Sequence, residues 1–151
     1  MSQVTFHFNV PDKAEYGCRL LRKAVTRGVK KVLVTGPAAE LDALDRALWT
    51  FSAREFLPHC RSDAPPDLLD ATPIVLTEAV PPGLATLAPE VLVNLGSEMS
   101  PDLTGFDKWI ELVSEDPQDR AAARHRWKAY AAAGHAMRAH DVLQPGRTSD
   151  E

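Results

Sequence analysis

The sequence predicts an α/β fold: three layers, α/β/α, around a mostly parallel (mixed) sheet of about five strands, closed by a C-terminal helix with a basic face. Three observations carry that expectation. Five short apolar or alternating runs read as strands: "VTFHFNV", "KVLVTG", "PIVLTE", "EVLVNLG" and "DKWIELV". Amphipathic stretches of helical period follow the first two runs and the last. Strands that alternate with helices pack with the helices over the sheet, because the crossover between parallel strands has one hand.

Each element has its own local reason. "VTFHFNV" (4–10) alternates and is rich in β-branched and aromatic residues. Pro11 and Asp12 end it and open a helix whose apolar face is Ala14, Cys18, Leu21 and Val25. Gly28 stops that helix. "KVLVTG" is a buried parallel strand, continuous in its apolar character. Gly36 and Pro37 launch a second helix with Leu41, Leu44, Leu48 and Phe51 inside. The middle of the chain is proline-rich, from Pro58 to Pro89, which limits it to short strands and turns. After "DKWIELV", Asp116 and Pro117 supply an N-cap and a proline at the first helical position, and Asp119 suits the positive helix end. The last helix runs to about Ala133 and Gly134 ends it. Residues 1–140 are expected to form one domain, and 141–151 a flexible polar tail.

Composition bounds the function. At 151 residues, 44% hydrophobic and 25% charged, the chain is that of an ordinary soluble domain. No apolar run approaches the roughly 20 residues that span a bilayer, and "MSQVTFHFNV" has no signal-peptide pattern. Cys18 and Cys60 have no paired spacing and read as free thiols of a cytoplasmic protein. The net charge is -4, but it is unevenly spread. The segment from Arg120 to Arg138 holds five basic residues and no acid, leaving 12 basic against 21 acidic residues elsewhere. Such a body repels a long phosphate backbone, whereas a local basic patch suits a small anionic target.

Enzyme signals are weak. "VLVTGPAAEL" has the strand–glycine–helix order of a nucleotide turn but lacks the further glycines and any G-K-[ST] step. His59 and Cys60 are adjacent and point apart. His125, His135 and His140 have no metal-ligand spacing. No catalytic residue, cofactor or metal is expected.

The strongest feature is "RAAARHRWKAY". On a helical wheel Ala122, Ala129, Tyr130 and Ala133 face the sheet, while Arg120, Arg124, Trp127, Lys128 and Ala131 share the outer arc. Guanidinium forks grip carboxylates, and an indole offers an apolar wall beside them, so the face fits an acidic peptide with an apolar end. Arg126 falls inside the apolar arc, and the pattern alone assigns it no role; reaching the helix edge to pair with an acid is one option. In the second helix Trp49 lies off the inner stripe. With Phe56 it forms an aromatic shoulder of the kind that anchors a partner.

"LDRALW" (44–49), "FLPH" (56–59) and "RHRWKAY" (124–130) occur in the order and spacing of the chi subunit of bacterial DNA polymerase III, which this chain resembles over roughly residues 4–134. The resemblance implies a non-catalytic replisome adaptor, cytoplasmic and brought to the nucleoid by the replisome. Chi-like proteins bind the acidic C-terminal tail of single-stranded DNA-binding protein, which ends in Phe with a free carboxylate. The matching positions are Arg120, Arg124, Trp127 and Lys128, with Val113 lining the same pocket. Chi also binds the psi subunit of the clamp loader, and Trp49 and Phe56 match that surface. DNA contact would be indirect. Ala131 stands where the family can carry another basic residue, which implies a weaker grip on the tail. Two rival readings are a direct single-stranded nucleic-acid binder, with Trp127 stacking on a base, and a nucleotide-dependent enzyme using the Gly36 turn.

Overall fold

The computed structural model describes residues 3–50, 57–78, 89–96, 106, 108–143 and 148–150. In chain order the elements are β1 (Gln3–Val10), α1 (Lys13–Thr26), β2 (Val32–Thr35), α2 (Ala38–Thr50), β3 (His59–Arg61), α3 (Pro66–Ala71), β4 (Ile74–Thr77), β5 (Val91–Asn94), β6 (Lys108–Ser114), α4 (Pro117–Ala132), β7 (Ala136–Asp141) and β8 (Thr148–Asp150). The strands form one sheet in the order β3-β4-β2-β5-β6-β1-β7-β8. Every pairing is parallel except β7 with β8.

The expected α/β/α class holds, and all five expected strands are present. The sheet is wider because β3, β7 and β8 join it. "AMRAHD" carried little strand signal, since its alanines favour helix, yet it pairs along β1 from Gln3 to Phe8. The 141–151 segment, expected as a polar tail, contributes Thr148–Asp150 as a strand against Arg138–His140.

Helix placement follows from the order of the strands. Chain moves from β1 to β2 and from β2 to β3 run toward one edge and carry α1 and α2. Moves from β3 to β4 and from β6 to β7 run back and carry α3 and α4. With one crossover hand, the two directions put helices on opposite faces. Two cores result. One joins α1 and α2 to the sheet through Cys18, Leu21, Leu41, Leu44, Leu48, Val34 and Leu76. The other lies under α4 and contains Val4, Phe6, Leu92, Trp109, Val113 and Tyr130. Cys18 packs in the first and Cys60 against the second, on opposite sides of the sheet.

Asp12 caps α1 by accepting from the amides of Ala14 and Glu15. Asp116 caps α4 by accepting from Gln118. Gly28 and Gly134 follow the two helices with φ of +94° and +92°, which a side chain would strain. β1 also carries a bulge between His7 and Val10, with Asn9 at φ +62° and its side-chain amide donating to Asp141 at 3.0 Å. Phe51 lies outside the described residues.

Candidate functional site

The site is built where α4 lies over β1, β6 and β7. Alternation on β6 turns Trp109, Glu111 and Val113 toward α4, and alternation on β1 turns Val4, Phe6 and Phe8 the same way. The helix answers with Ala123, Arg126 and Tyr130, spaced i, i+3 and i+7. This corrects the wheel: Ala133 is exposed and the buried stripe is turned onto Arg126. The reason is an ion pair. Arg126 is 1% exposed and donates from Nε to Glu111, 0% exposed, at 2.8 Å. Burial raises the Glu111 carboxyl to about 6 even with the guanidinium beside it. Arg126 also lies 5.9 Å from the centre of the Phe6 ring.

Above this pair is a cavity of about 260 Å³. Phe6, Phe8, Val113, Ala123 and Ala139 line it with apolar surface, and Trp127 forms a wall. The Trp127 and Phe6 rings meet edge to face, 5.2 Å between centres at 64°. Arg120, Arg124 and Lys128 are exposed at its rim. The five residues expected to act together, Val113, Arg120, Arg124, Trp127 and Lys128, therefore surround one opening. Phe6, Phe8, Ala123 and Ala139 belong to it as well and were not anticipated. The alternating phenylalanines of "VTFHFNV" were the available signal. An apolar hole with three cations at its mouth can hold an apolar side chain and a carboxylate together. Trp127 is half-buried and packs against Phe6.

Trp49 lies near the other edge of the sheet and is 62% exposed. Its ring meets His59 edge to face at 5.2 Å. The His59 ring is fixed by Asp45, 2.8 Å from Nε2, and by the Leu57 carbonyl, 2.8 Å from Nδ1. Phe56 lies outside the described residues. His59 and Cys60 face different ways: His59 is committed to α2, and Cys60 packs against the core on the α4 side.

In doubly wound enzymes ligands sit where neighbouring strands send their helices to opposite faces. Here that crevice lies at the carboxyl ends of β1 and β6, and the chain fills it itself. Lys13 reaches Asp119 at 2.9 Å and the Leu95 carbonyl at 2.5 Å. Asp119 also accepts from the Ser114 amide and hydroxyl at 2.8 and 2.9 Å. Burial would raise the Asp119 pKa, but Ser114 and Lys13 outweigh it and hold the carboxyl below its ordinary value. Gly36 has a packing reason: a Cβ there would stand 3.0 Å from Leu95 Cβ, with Gly96 and Pro37 closing the same turn. Among the described residues no three His, Cys, Asp or Glu side chains gather as a metal site, and no helix is long and apolar enough to cross a membrane.

Comparison with known proteins shows the family of the chain. The family model described as DNA polymerase III chi subunit, HolC, matches residues 1–138. DNA polymerase III subunit chi of Pseudomonas aeruginosa is 30% identical over 128 residues, covering 85% of each chain. The chain belongs to the DNA polymerase III chi subunit family.

Proposed function

We propose that the protein is a non-catalytic replisome adaptor that binds the acidic C-terminal tail of single-stranded DNA-binding protein through the α4 pocket. The observation that carries this reading is the convergence of Arg120, Arg124, Lys128 and Trp127 around one apolar opening. In this reading the terminal Phe ring of the tail enters against Phe6, Val113 and Trp127. Its carboxylate and neighbouring Asp side chains meet Arg124 and Lys128, and Arg120 extends the positive field along the tail. The acidic remainder of the chain disfavours direct contact with DNA phosphates.

The Trp49 shoulder is the second docking surface, for a psi-like subunit that ties the adaptor to the clamp loader. An exposed indole on a ring fixed by Asp45 suits a preorganised anchor. The two surfaces belong to opposite regions of the sheet, so both can be occupied at once. Calorimetric titration with a synthetic tail peptide tests the reading. Binding is expected to weaken when the peptide's terminal carboxylate is amidated, and with rising salt. A protein that ignores the peptide at moderate salt, or binds the amidated form equally well, would not be a tail receptor.

A further inference from the structure

The opposite face of β1 holds a second opening that the tail reading leaves unused. Among the described residues only α1 leaves β1 on that side, and it runs toward β2, so no described helix covers β1 and β7 there. Parallel strands are normally covered on both faces. Here Val4 and Phe6 are buried under α4, while Gln3, Thr5 and His7 on the other face remain only half-buried. The result is a groove of about 470 Å³ between α1 and the floor made by β6, β1 and β7.

Its charge is one-sided. Lys23 reaches it from α1, Arg27 from the C-cap position just after α1 and Lys108 from β6, and none of the three is in an ion pair among the described residues. No described Asp or Glu lines it, in a chain with 21 acidic residues. Complementing a helix end would explain Lys23 and Arg27 one at a time, but not Lys108 on a strand opposite them. Arg19 and Arg138 also line the groove, and Arg19 is paired with Glu15 at 2.7 Å, so the site's charge is assigned to Lys23, Arg27 and Lys108. The floor also differs from that of the α4 pocket. His7 bonds to the Tyr16 hydroxyl and meets His140 edge to face at 5.1 Å, and Thr5 and Gln3 add uncharged polar groups. Leu20 and Ile110 supply a short apolar wall. There is no apolar hole for a terminal side chain, but there is room for a multiply charged head with a small organic body.

We propose that this groove binds a small phosphate-bearing anion of nucleotide size, its phosphates held by Lys23, Arg27 and Lys108 and its organic part against Leu20 and Ile110. Three cations lining one groove favour phosphate over a single carboxylate. A walled opening in an acidic chain favours a small anion over a long strand. The electrostatics agree: burial, then the charges of His140, Lys108 and Lys23, drive the His7 imidazole down to about 4. Tyr16 is its hydroxyl neighbour from α1. An anion seated among those groups would let His7 protonate more easily.

The test uses the full chain at low ionic strength, with inorganic pyrophosphate and ADP as probes and the histidine ring protons followed by NMR. Saturable shifts of the His7 and His140 resonances are expected, with the His7 midpoint moving upward. Lys23→Ala combined with Lys108→Ala should weaken binding at least about tenfold, while tail-peptide binding through α4 stays unchanged. ADP binding tighter than pyrophosphate would identify a nucleotide-like ligand, and equal binding would identify phosphate recognition alone. The proposal is overturned if neither probe saturates at millimolar concentration, or if the double variant binds as the parent does. It is also overturned if an oligo-dT strand displaces both probes with a steep salt slope, which would make the groove a strand-binding surface.

Discussion

The two faces of β1 carry opposite chemistry on one strand. Toward α4 it shows Val4, Phe6 and Phe8, and the opening there is apolar with charge only at its rim. Toward α1 it shows Gln3, Thr5 and His7, and the opening there is polar with charge set into its walls. The residues alternate as any strand alternates, and the difference comes from which crossover covers which face. Local sequence sets what each face can be, and chain topology decides which face is closed.

The largest expected effect breaks the α4 face alone. Arg126→Ala would leave the Glu111 carboxyl buried without its partner, and should lower stability by about 3–5 kcal/mol in urea unfolding. Replacing both residues with apolar ones of similar volume, Arg126→Met with Glu111→Leu, should recover most of that loss. Continued marginal stability of the double variant would mean that the pair does more than satisfy itself.

Acid separates the faces next. The His7 pKa falls from its ordinary value near 6.5 to about 4 in the folded chain. Between those values the unfolded chain binds a proton that the folded chain refuses, so stability rises with pH across that window and is lost on acidification. At about 1.4 kcal/mol per unit the loss is up to about 3 kcal/mol by pH 4. Glu111 works in the other direction: its carboxyl is raised from 4.5 to about 6, so acidification through that interval favours the folded chain. The difference between parent and His7→Asn in denaturant midpoints at pH 7 and pH 4.5 isolates the His7 share, and the variant should be the less acid-sensitive of the two.

A smaller and more selective effect sharpens the contrast. Arg124→Ala should cost about 1.5–3 kcal/mol of tail-peptide affinity, roughly tenfold or more, and leave the melting temperature nearly unchanged. Lys23→Ala should leave that affinity alone. Equal losses from both would mean that the peptide senses only overall charge. The smallest change touches the end of the shared strand. Asn9 takes a left-handed backbone at the β1 bulge, so Asn9→Val should destabilise by about 1–2 kcal/mol in thermal unfolding, and Asn9→Gly by less.

Much of this was legible in the sequence, for identifiable reasons. The five strands with continuous or alternating apolar runs, the Asp12 and Asp116 caps, and the stops at Gly28 and Gly134 are local signals, and each appears where the pattern put it. Arg120, Arg124, Trp127 and Lys128 could be grouped because helical spacing is local too. What was hidden depends on contacts distant in the chain. Arg126 looked like a blemish in an apolar arc because its partner, Glu111, occupies the matching apolar position of β6, 15 residues earlier. A base in one stripe and an acid in the other was a readable clue only when both were taken together. β7 was missed because "AMRAHD" gains its strand conformation from the edge of β1 and not from its own composition. The groove over Gln3, Thr5 and His7 stays open because no described helix returns over it, which no single segment encodes.

The sheet is also a ruler. Neighbouring strands sit about 4.8 Å apart, so the five steps from β3 to β1 span roughly 25 Å. Hydrogen-bonded strands stretch little, and a molecule seated beside Trp49 and another under α4 would be held at a nearly constant separation. With both surfaces occupied, such a strut would pass mechanical load from one end to the other while leaving each attachment free to let go on its own schedule.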